Sequence, residues 1–303
     1  MVTTERDIAV RYHSNSFDIN KPMSWDDLGV MDHPTCLPEA ETLNLFLLGK
    51  YGTGKSSLIY SRPRNLVLSV ENSARFQAKK GAKANSFPIN SYQAFHHFVV
   101  SIEDPKTAES FRQKVNCITI DTLGLLLPII EAELLRLHGV ANSDLKTILD
   151  YKSQGAGVFT VNQVVQKALS VFEKAGFAWI VVDHLIEKTV QVQGTKDTIA
   201  MDKIKSYPSL ASDVAAKADM VLQVSKKVTE SSKMVNGKVF RTKEHRFFVD
   251  PEALDSNKAQ ELKQRVELPG VIDVTDNGWS DFDVVYKKAC QDAMVKEGYA
   301  PKV

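Results

Sequence analysis

The chain has 303 residues, 43% hydrophobic and 25% charged, an ordinary globular composition with length for one large domain or two modest ones. Lysine and arginine total 38 against 37 acids, a formal net charge of +1. That excludes a protein that coats nucleic acid through global charge alone, and leaves a local basic surface open.

No apolar run is long enough to span a bilayer, since the best candidate, residues 118–130, is interrupted by Asp121 and Pro128. Glu5, Arg6 and Asp7 are followed by no apolar stretch of a secretory signal, and Cys36, Cys117 and Cys290 have no zinc or CxxC spacing. The expectation is a cytoplasmic chain with reduced, buried thiols and no membrane contact.

Residues 1–41 hold eight acids against three bases, net −5, with weak periodicity and prolines at 22, 34 and 38. They read as an acidic arm, and equally as a loosely packed tail. From there the pattern changes. Residues 43–48, 65–70, 117–121 and 178–183 are short continuous apolar runs, the signature of strands buried on both faces. Helical spacing lies between them, over 73–80, 92–100, 125–137 and 161–175. This alternation predicts an α/β fold with a mostly parallel sheet flanked by helices.

The last third differs. Residues 220–228 and 238–241 flank Met234-Val235-Asn236-Gly237, and Asn-Gly between β-prone runs predicts an antiparallel hairpin. Further strands are predicted at 247–249 and 271–274. Ser280, with Asp283 three residues on, opens a helix to about Glu297. The expected organisation is an arm over 1–41, a core over 42–279, and a C-terminal helix and tail over 280–303.

Gly49-Lys50-Tyr51-Gly52-Thr53-Gly54-Lys55-Ser56, followed by Ser57, satisfies the phosphate-loop pattern G-x-x-x-x-G-K-[ST]. Glycines at 49, 52 and 54 let successive N–H groups turn inward toward phosphate oxygens. The helix that follows presents its N-terminus to the same anion. Lys55 reaches the β- and γ-phosphates, and the Ser56 hydroxyl is a ligand for Mg²⁺. The pattern implies ATP and Mg²⁺.

Three strand ends complete the candidate site. Asp121 closes the apolar run 117–121 and suits a metal or its bound water. Glu71 closes the run 65–70 and suits the orientation or deprotonation of water. His184 closes the run 178–183 and suits the sensing of a terminal phosphate. Each residue type also occurs at strand ends as a cap, a surface acid or a structural histidine, so the reading rests on their order behind the phosphate loop.

In that order, the four strand ends resemble the RecA-like ATPases, and more closely the small RecA-like AAA ATPases of bacteriophages, over about residues 43–275. The resemblance implies a RecA-like P-loop fold, ATP hydrolysis and a homo-oligomeric ring or filament with ATP at subunit interfaces. It also implies action on single-stranded DNA in recombination, annealing or replication. Glu71 in Leu68-Ser69-Val70-Glu71 is similar to the family's catalytic glutamate. Asp121-Thr122 is similar to the Walker B aspartate and its following hydroxyl, and His184 to the sensor residue before the second DNA-facing loop. Tyr207-Pro208-Ser209-Leu210 through Ala218-Asp219 resembles the segment leading into the next strand. Lys263 and Arg265, ahead of Leu268-Pro269, resemble the K-x-R element that reaches a neighbouring subunit's γ-phosphate in hexamers such as KaiC. The sequence departs from the family at Pro63, which cuts short the helix after the phosphate loop, in the acidic arm, and in insertions between Arg246 and Lys263.

Two segments are candidates for DNA contact. Residues 184–210 carry Lys188, Lys196, Lys203 and Lys205 against Glu187, Asp197 and Asp202, with one aromatic, Tyr207. The hairpin over 226–246 carries Lys226, Lys227, Lys233, Lys238, Arg241, Lys243 and Arg246 against Glu230 and Glu244, net +5. A basic hairpin tracks a phosphate backbone, and lysine on an exposed ribbon also serves to block aggregation. The glycine-containing loop over 139–157, with Tyr151, stands where a first DNA loop would be, and equally reads as plain surface. The alternative to a DNA-dependent ATPase is an ATP-driven oligomeric scaffold or regulator that binds protein, which the near-neutral charge and acidic arm favour.

Overall fold

The computed structural model describes residues 39–71, 82–139, 148, 155–191, 198–235, 238–251 and 266–296. The helix predicted over 73–80, the Asn236-Gly237 turn, Cys36, Lys263, Arg265 and most of the arm and of the 139–157 loop lie outside the described residues. After a 3₁₀ turn at Ala40–Thr42 the elements are, in chain order, β1 (Leu45–Gly49), α1 (Lys55–Ser61), β2 (Asn65–Ser69), β3 (Asn85–Pro88), α2 (Tyr92–Glu103), α3 (Pro105–Arg112) and β4 (Cys117–Asp121). They continue with α4 (Leu123–Gly139), α5 (Ala156–Lys174), β5 (Ala178–Gln191), β6 (Thr198–Ile204), α6 (Pro208–Lys217), β7 (Met220–Val235), β8 (Lys238–Asp250), β9 (Ile272–Asp273) and α7 (Trp279–Lys296).

Local chemistry accounts for most of these boundaries. β1, β2 and β4 are buried at every position, as unbroken apolar runs must be between two helical layers. α1 stops at Ser61, with Arg62 extended as its C-cap just before Pro63. The Ser91 hydroxyl accepts from the Ala94 N–H at 3.2 Å to start α2, whose Phe95, Phe98, Val99 and Ile102 make one buried stripe. Asp104 caps α3 by accepting from the Thr107 N–H at 2.8 Å, with Pro105 at the first helical position.

The sheet order is β3-β2-β4-β5-β1-β7-β8-β9, with β6 on β5 off that path. β3 through β7 along this path are mutually parallel, while β8, β9 and β6 pair antiparallel. This is the mostly parallel, helix-flanked sheet with antiparallel C-terminal strands expected of a RecA-like P-loop protein. The register sets Gly49 opposite His184, and Asp121 opposite both Ser69 and Val182. The carboxyl ends of β1, β2 and β4 and the middle of β5 therefore share one edge, where ligands of open α/β sheets bind.

Side chains alternate across β1. Phe46 and Leu48 join the core beneath α2, α4, α5 and α6, and Leu45 and Leu47 join that beneath α1 and α7. Trp279, Phe282 and Tyr286 anchor α7 against the second face. Fully buried Arg62 lies 4.6 Å from the Trp279 ring and donates to the Glu41 carbonyl, so one side chain joins the first turn, the end of α1 and the start of α7. Cys117 and Cys290 are free, buried thiols. Among the described residues no helix is long and apolar enough to cross a membrane.

The structure redraws several boundaries. β5 does not end near Asp183 but continues to Gln191, because its outer half finds a new antiparallel partner in β6. The runs at 238–241 and 247–249 are one strand, β8, since the polar residues between them pair in register with β7. α7 begins at Trp279, and its first turn is fixed by Asp281, which accepts from the Asn277 N–H at 2.9 Å. Asp283 instead pairs with Lys287 at 2.7 Å.

Candidate nucleotide site

The loop between β1 and α1 curls because Gly52 and Gly54 take φ of +73° and +96°, a region costly for any side chain. Gly49 and Gly54 are also sterically committed. A Cβ on Gly49 would stand 2.4 Å from the Val224 carbonyl oxygen, and one on Gly54 would stand 2.6 Å from Phe247 Cδ1. The Thr53 hydroxyl donates to the Lys50 carbonyl at 2.9 Å and closes the turn.

Lys55 opens α1 with only 4% of its surface exposed. Its ammonium donates to the carbonyls of Gly49 at 2.7 Å and Lys50 at 2.8 Å, and to His184 Nδ1 at 3.1 Å. Burial drives its pKa from 10.5 down to about 8, against the opposing pull of Asp121, Glu71 and Asp183. An ammonium only donates, so Nδ1 of His184 accepts and the proton sits on Nε2. Nε2 lies 3.0 Å from Glu71 Oε1, which also receives the Thr122 hydroxyl at 3.5 Å. The His184 hydrogen bond is the main cause holding the Glu71 carboxyl below its ordinary range, with burial opposing and Lys55 assisting. Lys55, His184 and Glu71 thus form one hydrogen-bonded chain under the loop.

Asp121 is fully buried at the end of β4. The peptide joining it to Thr122 is cis, and its carbonyl receives the Val70 N–H at 2.8 Å. The Ser56 hydroxyl and the Asp121 carboxylate are hard oxygen donors of the type Mg²⁺ takes. Two such donors suit a cation whose remaining ligands are phosphate oxygens and water, and among the described residues no group of three or more His, Cys, Asp or Glu stands together as a metal cluster. Ser57 follows in the first turn of α1.

Other contacts were not legible in the sequence. Tyr51 stacks on His184 with centroids 3.6 Å apart and planes 19° from parallel. Lys205, just past β6, donates to the Tyr51 hydroxyl at 2.8 Å. Lys50 pairs with Glu187 on β5 at 3.1 Å. Fully buried Asp183 accepts from the N–H groups of Gly124, His184 and Ser206, fastening α4 and the returning end of β6 to β5. The only hint in the sequence was an aromatic inside the phosphate loop. The predicted DNA-facing segments prove to be two antiparallel ribbons, β5–β6 and β7–β8.

A KaiC-like protein from the hyperthermophilic archaeon Pyrococcus horikoshii OT3 is similar at 13% identity over 78% of this chain and 91% of that one, with a TM-score of 0.35. No curated protein matches. The profile of the AAA_24 family, described as an AAA domain, matches residues 41–249, from the first 3₁₀ turn through the phosphate loop, Asp121 and His184 to the end of β8. That span is well over half of the chain, and the protein belongs to this family of AAA domains.

Proposed function

We propose that the protein is a Mg²⁺-dependent ATPase that works as a homo-oligomer on single-stranded DNA in phage recombination, annealing or replication. The observation that carries the hydrolytic part is the chain Lys55–His184–Glu71 beneath the phosphate loop. Mg²⁺ held by Ser56 and Asp121 would neutralise phosphate charge. Backbone N–H groups of residues 49–54 and the Lys55 ammonium bind and orient the phosphates, while ionised Glu71 accepts a hydrogen bond from the attacking water. His184 fixes the direction of that carboxylate. Lys263 and Arg265 are proposed to reach a neighbour's γ-phosphate in the arginine-finger role.

For the DNA part, support comes from the base-rich β7–β8 ribbon, which runs on past its pairing with β1 at residues 220–223. A second reading, an ATP-driven scaffold that binds protein, is favoured by two observations on the same ribbon. Arg246 and Lys243 already pair with Asp273 at 2.8 Å and Glu230 at 2.7 Å, and Val228 and Met234 expose apolar surface. Steady-state ATPase rates with and without single-stranded DNA at two salt concentrations separate the readings. The first expects stimulation that fades with salt, and a rate indifferent to DNA sinks it.

A further inference from the structure

The phosphate loop stands between two ribbons, because β1 lies between β5 and β7 and both run beyond the shared sheet edge. The groups suited to a terminal phosphate all lie toward β5. They are His184 on β5, Asp121 at the end of β4 one strand further, and Glu71 just past β2 beyond that, joined back to His184 by its hydrogen bond. If the reacting end lies there, the nucleoside leaves the loop in the opposite direction, toward β7 and β8.

On that side stands Phe247 of β8, close enough to Gly54 to exclude a Cβ. Lys226 is its register partner across the ribbon, with Nζ 5.8 Å from the ring centroid. Lys226 is exposed, and Phe247, packed at the margin of the core, is only partly buried. Directly opposed residues project from the same face of an antiparallel pair, so both project on the side that meets the loop. An aromatic ring with a cation beside it, bordering a phosphate-binding turn, offers an apolar surface for a base or sugar and a charge for its polar atoms.

We propose that Phe247 and Lys226 form the nucleoside end of the site, a role that takes Lys226 out of the polymer-facing set. The proposal rests on the ATP reading above. Neither residue touches the reacting atoms, and their contribution is affinity for the part of ATP that tripolyphosphate lacks.

The test is calorimetric titration of the full chain with Mg·ATP and with magnesium tripolyphosphate. Phe247→Ala is expected to weaken ATP binding roughly tenfold, as loss of one base–aromatic stack does. Lys226→Met is expected to weaken it about threefold. Tripolyphosphate affinity should stay within about twofold in both, which also reports an intact loop. Phe247→Leu keeps an apolar side chain over Gly54 and should still lose ATP affinity selectively if the aromatic face matters. Equal weakening of both ligands, or unchanged ATP affinity, overturns the proposal while leaving the ATP reading intact. A wild-type chain that binds tripolyphosphate but not ATP, or binds neither, overturns both. A Lys226→Met variant that loses single-stranded DNA affinity and keeps ATP affinity returns that lysine to the polymer.

Discussion

The two ribbons beside the phosphate loop are alike in topology and unlike in chemistry. β5–β6 grips the loop through directional polar contacts: Lys50 to Glu187, Lys205 to Tyr51, and His184 to Lys55 and Glu71. β7–β8 meets it by shape, with the Val224 carbonyl against Gly49 and the Phe247 ring against Gly54. One side fixes angles and protonation states, as water positioning at a phosphoryl centre requires. The other fixes only how closely the loop can be approached. Changes on the β5 side should therefore act on turnover and its pH dependence, and changes on the β7 side on affinity and loop stability.

The largest effects should fall where the polar side meets the phosphates. Lys55→Ala is expected to abolish hydrolysis. Glu71→Gln should keep ATP affinity near wild type while kcat falls by at least about 100-fold, the range for loss of a group acting on a proton in the transition state. Nucleotide titration beside steady-state kinetics checks the pair. Loss of affinity and rate together in Glu71→Gln would make Glu71 a structural acid. Gly54→Ala should follow. Its Cβ meets Phe247 at 2.6 Å in a φ of +96°, so thermal unfolding should report about 1–3 kcal/mol of destabilisation together with weakened ATP binding. Measured against Phe247→Ala alone, which removes the clashing ring, Gly54→Ala should cost only the backbone part, and an undiminished cost there would mean that Phe247 does not press on the loop.

The asymmetry also governs what could be read before the fold was known. The strands buried between two layers were legible because burial on both faces demands unbroken apolar runs, and their polar last residues marked the edge. The phosphate loop was legible because glycine is the only residue that tolerates +73° and +96° there. Of the ribbons, β7–β8 was legible as a hairpin from Asn236-Gly237 between β-prone runs, though not in its full length, and β5–β6 was not, since a strand with solvent on both faces carries no burial period. β3 is largely exposed, and α3 buries only Ala108, so both lacked an apolar signal and went unread. His184 was found as a strand terminus although β5 runs through it, because the apolar run stops where the sheet does. Phe247 went unread because a single aromatic in a basic strand says nothing of the loop it touches.

A pH experiment sharpens the comparison next. The Lys55 ammonium, lowered to about 8, is the form that attracts phosphate. Nucleotide affinity should be flat below about pH 7 and fall above 8, approaching tenfold per pH unit as a proton must be taken up on binding. Folding stability of the free protein should move the other way. Between about 8 and 10.5 the unfolded lysine holds its proton and the folded one has lost it, so stability gains from this group as pH rises across that window. Lys55→Arg remains charged throughout and should flatten both dependences. If affinity stays level to pH 9.5 in the wild type, Lys55 does not titrate there.

The smallest effect belongs to Tyr51, and it separates stacking from hydrogen bonding on the β5 side. The phenol holds the His184 ring by a 3.6 Å stack and is itself held by Lys205. Tyr51 is 58% exposed, so its removal leaves no cavity and should barely change thermal stability. Tyr51→Phe keeps the ring and loses the lysine contact, so kcat should stay within about twofold, since one exposed hydrogen bond contributes little. Tyr51→Leu loses the stack, and a freer His184 points Glu71 less well, so kcat should drop by roughly tenfold with KM nearly constant, the value of a well-formed ring pair. Ring ¹⁵N shifts of His184, assigned by comparison with His184→Gln, give a readout independent of turnover. They should report the Nε2–H tautomer in the wild type and in Tyr51→Phe, and an averaged pair of nitrogens in Tyr51→Leu. If Leu behaves as Phe in both measurements, the stack is a surface contact and the orientation of His184 comes from Lys55 and Glu71 alone.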